Sequence, residues 1–285
     1  MRLVSYKGPE GSRTGVIRDG AVIDLHENEP ELPTDMISLL RMGDRARPLL
    51  EKVLRQGVPL ERDVTLTAPI PNPRKVICVG LNYADHARES GASPPPEPVI
   101  FNKFPTTIIG PEDPIRLPRE SMNVDYEAEL VVVIGKPGRR IAESEAMDYV
   151  AGYMCGNDVS ARDWQMKKPG GQWLLGKSFD TFAPTGPHLV TQDEITNPQQ
   201  LAVRLILNGQ VMQQSNTNQF IFSVTQLIAY VSQVCTLEVG DLLFTGTPGG
   251  VGFARKPPVF LKDGDVVEVE IESVGKLRNA VVSDQ

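Results

Sequence analysis

The chain reads as an α+β protein: a small N-terminal α/β module followed by a larger, strand-rich domain. Three observations carry this. Val- and Ile-rich runs recur from residue 75 onward without regularly alternating helices, which argues against a doubly wound parallel sheet. Residues 1–67 instead mix short strand patterns with two helical ones. Between the two parts lies Ala68-Pro69-Ile70-Pro71-Asn72-Pro73, whose alternating prolines prevent helix and make an extended connector. The boundary falls there, giving a module of residues 1–67 and a domain of residues 68–285. A total of 285 residues suits a large domain with a small one beside it.

Within the module, strands are expected at residues 3–6, 14–17 and 22–25, and helices near residues 36–41 and 45–56. In the domain, residues 75–79, 99–102, 130–134, 149–155, 202–207, 241–245 and 266–271 have the β-branched enrichment of strands. Asn208-Gly209 joins residues 202–207 to 210–213 as a tight hairpin, since both residues tolerate positive φ. Lys262-Asp263-Gly264-Asp265 makes a turn before residues 266–271. One helix is well marked. Ser223 caps it, Gln226 completes a capping box, and Leu227, Ile228, Val231, Val234 and Cys235 form its apolar stripe.

Composition narrows the function. A net charge of −7 argues against a nucleic-acid or anionic-membrane partner. No apolar stretch approaches the roughly 20 residues of a membrane span. The N-terminus lacks a signal-peptide core and reads as a short strand. Cys78, Cys155 and Cys235 are odd in number and never in a C-x-x-C pattern. Cys78 and Cys155 sit in apolar runs, as reduced, buried residues of a cytoplasmic protein do.

Two motifs are decoys. Gly171-Gln172-Trp173-Leu174-Leu175-Gly176-Lys177-Ser178 matches the P-loop expression, but Met166-Lys167-Lys168-Pro169-Gly170 before it is no strand, and Pro184 and Pro187 follow where a helix should run. Gly246-Thr247-Pro248-Gly249-Gly250-Val251-Gly252 likewise precedes Pro257 and Pro258, so it is no dinucleotide fingerprint.

The chemistry-bearing residues are acidic. In Asp125-Tyr126-Glu127-Ala128-Glu129, two glutamates stand two residues apart at the mouth of an apolar run. Strand alternation sends both to one face, where they repel each other unless a cation compensates them. A hard divalent cation suits oxygen ligands, and Asp158 could complete a three-carboxylate site. The competing readings are a solvated strand face for the glutamates and a turn or helix N-cap for Asp158. His86 and Glu89 lie at i, i+3 in a short helical run, where a carboxylate can orient an imidazole as a general base. A surface ion pair explains the same spacing. His26 and His188 lie among turn residues and receive no role.

Five segments in order resemble the fumarylacetoacetate hydrolase superfamily over residues 70–282. They are Val79-Gly80-Leu81-Asn82-Tyr83-Ala84-Asp85-His86, Asp125-Tyr126-Glu127-Ala128-Glu129, Asn157-Asp158-Val159-Ser160-Ala161-Arg162-Asp163, Gly176-Lys177-Ser178-Phe179-Asp180 and Thr245-Gly246-Thr247-Pro248. The subgroup they look most like contains acylpyruvases, oxaloacetate decarboxylases and tautomerases, and 2,4-dioxo-acid hydrolases. The resemblance implies a mixed β-sandwich roll, usually a homodimer. It implies Mg²⁺ or Mn²⁺ (Ca²⁺ also suits such ligands) on Glu127, Glu129 and Asp158, and Lys177 facing developing negative charge. His86 and Glu89 would form an acid–base dyad on a lid that orders with substrate. Arg162, Gln165 and Thr247 match pocket-lining positions. The Gly246-Thr247 turn offers a backbone N–H and a hydroxyl to a substrate carboxylate. Founding members add a fourth upstream carboxylate and a distal basic clamp; neither is matched here, which favours a smaller 2-oxo acid.

Three functions are compatible with these residues. The first is metal-dependent hydrolysis of a 2,4-dioxo acid through a pyruvate enolate, with His86–Glu89 activating water. The second is oxaloacetate decarboxylation or keto–enol tautomerisation on the same site, which needs no activated water. The third is a non-catalytic cation-binding protein. Residues 92–98 and 170–175 are the loops expected to set the acyl-group preference.

Overall fold

The computed structural model describes residues 1–284 apart from Glu10, Arg62, Ser90 and Ala92. Ala92, at the start of one expected specificity loop, therefore lies outside the described residues.

Two sheets make the body. The larger has eleven strands. Its main path runs Ala21–Asp24, Gly11–Arg18, Arg2–Gly8, Ala183–Thr191, Val150–Asn157, Ala128–Ile134, Leu242–Phe244, Val76–Gly80 and Val99–Lys103. The smaller has five: Gln210–Asn216, Ala202–Leu207, Val266–Ile271, Gly275–Ser283 and Ile115–Leu117. Most pairs are antiparallel, but Leu242–Phe244 runs parallel to Val76–Gly80, so the large sheet is mixed. This is the mixed β-sandwich roll that the resemblance implies.

The strand Ala128–Ile134 explains why its sequence is continuously apolar. Leu130, Val132 and Ile134 pack in a core with Val203, Leu205, Val267 and Val269 of the smaller sheet. Val131 and Val133 face the other way, into a core with Leu3, Val16, Leu50 and Phe244. A strand buried on both faces shows no alternation. Glu127 and Glu129 continue the face of Val131 and Val133 by strand parity.

Residues 1–67 add three strands to the main path of the larger sheet. Arg2 pairs with Val190 and Leu3 with Leu189. The helices Met36–Arg41 and Ala46–Gln56 cover the face carrying Val131 and Val133. The stretch set off at residue 67 thus shares both sheet and core with the strands of residues 68–285.

Local predictions hold where chemistry is local. Asn208 and Gly209 sit at φ 52° and 81° in the hairpin. Ser223 and Gln226 close a capping box on the helix Val224–Val234. Val234 alone leaves the expected apolar stripe, at 79% exposed, while Leu227, Ile228 and Val231 are buried and Cys235 packs against the same core. Besides short strands such as Ile115–Leu117, two nine-residue strands escaped sequence reading. Ala183–Thr191 contains Pro184 and Pro187, but Pro187 falls in a register break between the Gly186 and Val190 pairings, where no ladder N–H is required. Gly275–Ser283 alternates polar residues such as Lys276 and Arg278 with buried Leu277 and Val281, a pattern too polar to resemble its neighbours.

Candidate active site

The acid cluster is built by strand register. Ala128 pairs with Asn157, so Asp158 emerges beside Glu127. The Asp158 amide donates to Glu127 O at 2.9 Å, and the Glu127 amide donates to Asn157 Oδ1 at 2.9 Å. Glu127, Glu129 and Asp158 are buried, each with a carboxylate oxygen within 4.8 Å of the others'. Asp158 is not a helix cap: the next helix, Arg162–Lys167, is entered through Ala161 without a side-chain cap. The solvated-face reading of the glutamates also falls.

Three buried cations surround the acids. Lys103, at the end of Val99–Lys103, donates to Asp158 Oδ1 at 2.5 Å and to Val159 O at 3.0 Å. Lys177, at the end of the five-residue helix Trp173–Lys177, donates to Glu127 Oε2 at 2.9 Å, Asp158 Oδ2 at 2.7 Å and Ser160 Oγ at 2.8 Å. Arg162 Nη2 lies 2.7 Å from Glu127 Oε1 and 2.8 Å from Asp125 Oδ2, while Nη1 donates to Gln165 Oε1 at 2.9 Å. Lys177 is thus in place, but its three N–H groups are already engaged. Its effect on a developing anion is that of a nearby positive charge rather than a further hydrogen bond.

Electrostatics separate the two glutamates. Burial pushes Glu127 up, but Lys177 and Arg162 outweigh it and hold the carboxyl at about 2. Glu129 is raised well above the ordinary range by burial, then by Asp158 and Glu127. Among the described residues Glu129 has no ion-pair partner; it accepts only the Gly246 amide, at 2.7 Å. A compact set of hard oxygen donors with one uncompensated member fits a divalent cation of the Mg²⁺ or Mn²⁺ kind.

A cleft of about 280 Å³ opens against the cluster. His86, Glu127, Arg162, Gln165, Lys177 and Thr247 supply its polar lining. The remaining wall is apolar, with Trp173 set edge-on to Phe101 at 5.5 Å and backed by Gly80, where a Cβ would lie 2.8 Å from the indole.

His86 lies in the helix Ala84–Glu89, which the opposite sheet fastens: Ser215 Oγ donates to Asp85 Oδ2 at 2.5 Å. His86 Nδ1 lies 3.7 Å from Glu89 Oε2, outside hydrogen-bond range, and that oxygen accepts the Gly250 amide at 2.8 Å. The expected dyad is adjacent but not bonded. Gly246 departs further from expectation. Its N–H holds Glu129, so it orients a candidate ligand and is not offered to a substrate. At φ 99° it admits only glycine comfortably, and Asn82 Cβ would lie 2.8 Å from an added Cβ.

Sequence reasoning missed Lys103, Asp125 and Gln213. Lys103 ends a strand whose outer residues are half-exposed, so a lysine there resembles an edge residue; Gln213 comes from the smaller sheet, where nothing local marks it. Asp125 was legible as part of its motif, but its grip on Arg162 and on the Gly252 and Phe253 amides is purely tertiary. Lys177 pointing into the acids disposes of the P-loop match.

Sheet, acid cluster and cleft together describe a small-molecule enzyme of the fumarylacetoacetate hydrolase kind. Residues 75–282 match the family described as Fumarylacetoacetate (FAA) hydrolase C-terminal, and the chain belongs to it. It is 51% identical to the mitochondrial oxaloacetate tautomerase fahd2 of Xenopus laevis, over 99% of this chain and 90% of that protein. Its identity to the mitochondrial oxaloacetate tautomerase FAHD2A of Bos taurus is 50%, over 99% and 92%. Among solved structures, fumarylacetoacetate hydrolase from Exiguobacterium antarcticum superposes with a TM-score of 0.87 at 36% identity, both chains fully covered. Maleylpyruvate hydrolase from Sphingobium sp. SYK-6, in complex with manganese (II) ion and pyruvate, gives 0.83 at 32%, again with full coverage.

Proposed function

We propose that this chain is a keto–enol tautomerase of oxaloacetate or a closely similar 2-oxo acid, dependent on a divalent cation held by Glu127, Glu129 and Asp158. The observation that carries it is the likeness to named oxaloacetate tautomerases over 99% of the chain. The cleft supports it with one histidine beside a cation-ready acid cluster. When bound, the cation supplies Lewis-acid polarisation of the C2 carbonyl. Starting from the enol, His86 takes the proton from the C2 oxygen and returns it to C3, and from the keto form the reverse, so the carbon skeleton is unchanged and no water is consumed. Its Nδ1 faces Glu89, leaving Nε2 for the substrate. Lys177 and Arg162 keep Glu127 ionised, and the apolar wall around Trp173 excludes water from the enolate. Hydrolysis demands a water activated by His86–Glu89, for which the 3.7 Å separation is the weaker support.

The test is a panel of enol-oxaloacetate, acetylpyruvate and maleylpyruvate with Mg²⁺, Mn²⁺ or chelator, read by enol absorbance and NMR. Loss of enol absorbance without carbon dioxide or cleavage products is expected. His86→Ala should slow it by about 10²–10⁴-fold. Faster release of carbon dioxide, or of pyruvate from an acylpyruvate, would replace tautomerisation by decarboxylation or hydrolysis. Metal binding with no turnover on any 2-oxo acid would leave a cation-binding protein.

The assembly we propose is a homodimer. Ile100, Phe104 and Val234, exposed near the free edge strand Val99–Lys103, support an interface there. A monomeric mass by light scattering would dismiss it. The free, buried Cys78 and Cys155 fit a reducing compartment, and cytoplasm is the compartment we propose. Among the described residues no helix is long and apolar enough to cross a membrane.

A further inference from the structure

Gln213 stands on Gln210–Asn216, at the outer edge of the smaller sheet, yet is 1% exposed. Its amide has three partners, and they fix which end is which. Oε1 must face the Ala128 N–H, a donor, at 2.9 Å. Nε2 must then face Pro248 O, an acceptor, at 2.8 Å. The second Nε2 hydrogen goes to Thr247 Oγ1 at 2.9 Å. Thr247 therefore accepts from Gln213, and its own proton has no acceptor among the described residues. It lines the cleft that holds His86 and Lys177, with 5% exposure.

We propose that Gln213 is a positioning residue that makes the Thr247 hydroxyl a committed donor toward the carboxylate of a bound 2-oxo acid. Through Ala128, it also ties that donor to the backbone between Glu127 and Glu129. The proposal rests on the 2-oxo-acid reading above and supplies it with a directional contact for the carboxylate. A free hydroxyl can rotate to donate or accept; one that accepts from the Gln213 amide has its proton turned away from residue 213, and a carboxylate, which carries no proton of its own, can be met only by that proton. Because the same amide accepts from the Ala128 N–H, Gln213 links the hydroxyl to the backbone between the two acids.

Gln213→Glu keeps an acceptor for the Ala128 N–H but cannot donate to Thr247, so the hydroxyl proton turns back toward residue 213. Gln213→Met removes both functions without adding charge. Either variant should raise KM for enol-oxaloacetate about tenfold or more, the effect of losing one hydrogen bond to a charged group, with kcat changed far less. Thr247→Val should match them, and Thr247→Ser should restore near-wild-type KM. In the Thr247→Val background, Gln213→Met should add less than about twofold, because both changes remove the same contact. Mn²⁺ affinity, read by paramagnetic resonance, should stay within about threefold of wild type on the same reasoning. Multiplying costs, or lost Mn²⁺ affinity with unchanged KM, would make Gln213 a purely structural brace and overturn the proposal. Oxalate binding to the Mn²⁺-loaded protein, measured by calorimetry, separates the two failures. If wild type binds oxalate and the Gln213 variants bind it more weakly, the positioning role stands even if no oxaloacetate is turned over. Equal oxalate affinity in wild type and variants, or none in wild type, rejects it.

Discussion

Two buried carboxylates in this molecule have opposite circumstances. Asp24, in the N-terminal strands, accepts from Arg13 Nε at 2.8 Å and Nη2 at 2.6 Å, from the Tyr6 hydroxyl and from the Glu27 amide at 2.7 Å. Burial pushes it up, but these partners win and its carboxyl lies below the usual range. Glu129 is equally buried, accepts one amide and faces two other acids, and its carboxyl lies far above that range. The first site is electrically closed and stabilises the fold. The second is left open, and the deficit has the sign and the oxygen geometry that a divalent cation answers.

The sharpest test exchanges charge for shape at the open site. Glu129→Gln should lower turnover by about 10³-fold or more and abolish Mn²⁺ binding, since a neutral amide oxygen supplies none of the negative charge a carboxylate brings to the cation. In chelator the same variant should melt higher than wild type, because the cost of burying an unpaired carboxylate beside Asp158 and Glu127 is removed. Retained Mn²⁺ affinity would move the cation elsewhere. At the closed site, Asp24→Asn should do the reverse: kcat/KM of the folded protein is unchanged, while stability drops by about 3–5 kcal/mol, as when one partner of a buried pair is removed. Denaturant titration beside steady-state kinetics would expose any crossover between the two.

Lys103→Met lies between these cases. It strips Asp158 of one ammonium, so the metal-free protein should lose melting temperature and Mn²⁺ should restore most of it. A loss that Mn²⁺ does not repair would show Lys103 to be a core residue only.

The smallest effect is in pH. Asp24 has a depressed folded pKa, so its contribution is complete above the unfolded value of about 3.9 and fades as pH falls through the folded value. The stability gap between wild type and Asp24→Asn should be flat from pH 7 to about pH 5 and shrink below about pH 4. A gap that shrank near neutrality instead would assign the titration to another group.

The same contrast explains what could be read in advance. Glu127, Glu129 and the run behind them were legible because strand parity is a local rule, and Ser223 with Gln226 because a capping box is. His86 and Glu89 met as spacing predicts, yet spacing said nothing of the Gly250 amide that holds Glu89 off the imidazole. Lys103, Asp125 and Gln213 owe their roles to partners 34 to 128 residues away, and such distances leave no periodic trace. Pro184 and Pro187 hid a strand because what they break is decided by the neighbour's register, not by their own sequence.

Leu3 and Leu189 face each other where the first strand of the chain closes the flank of Ala183–Thr191. Without residues 1–67, that flank would present unpaired N–H and C=O groups, and the face carrying Val131, Val133 and Phe244 would lie bare. The stretch outside the matched family region thus works as a sheath. None of its described residues lines the cleft, yet it covers a strand edge that would otherwise be open to the strands of another molecule.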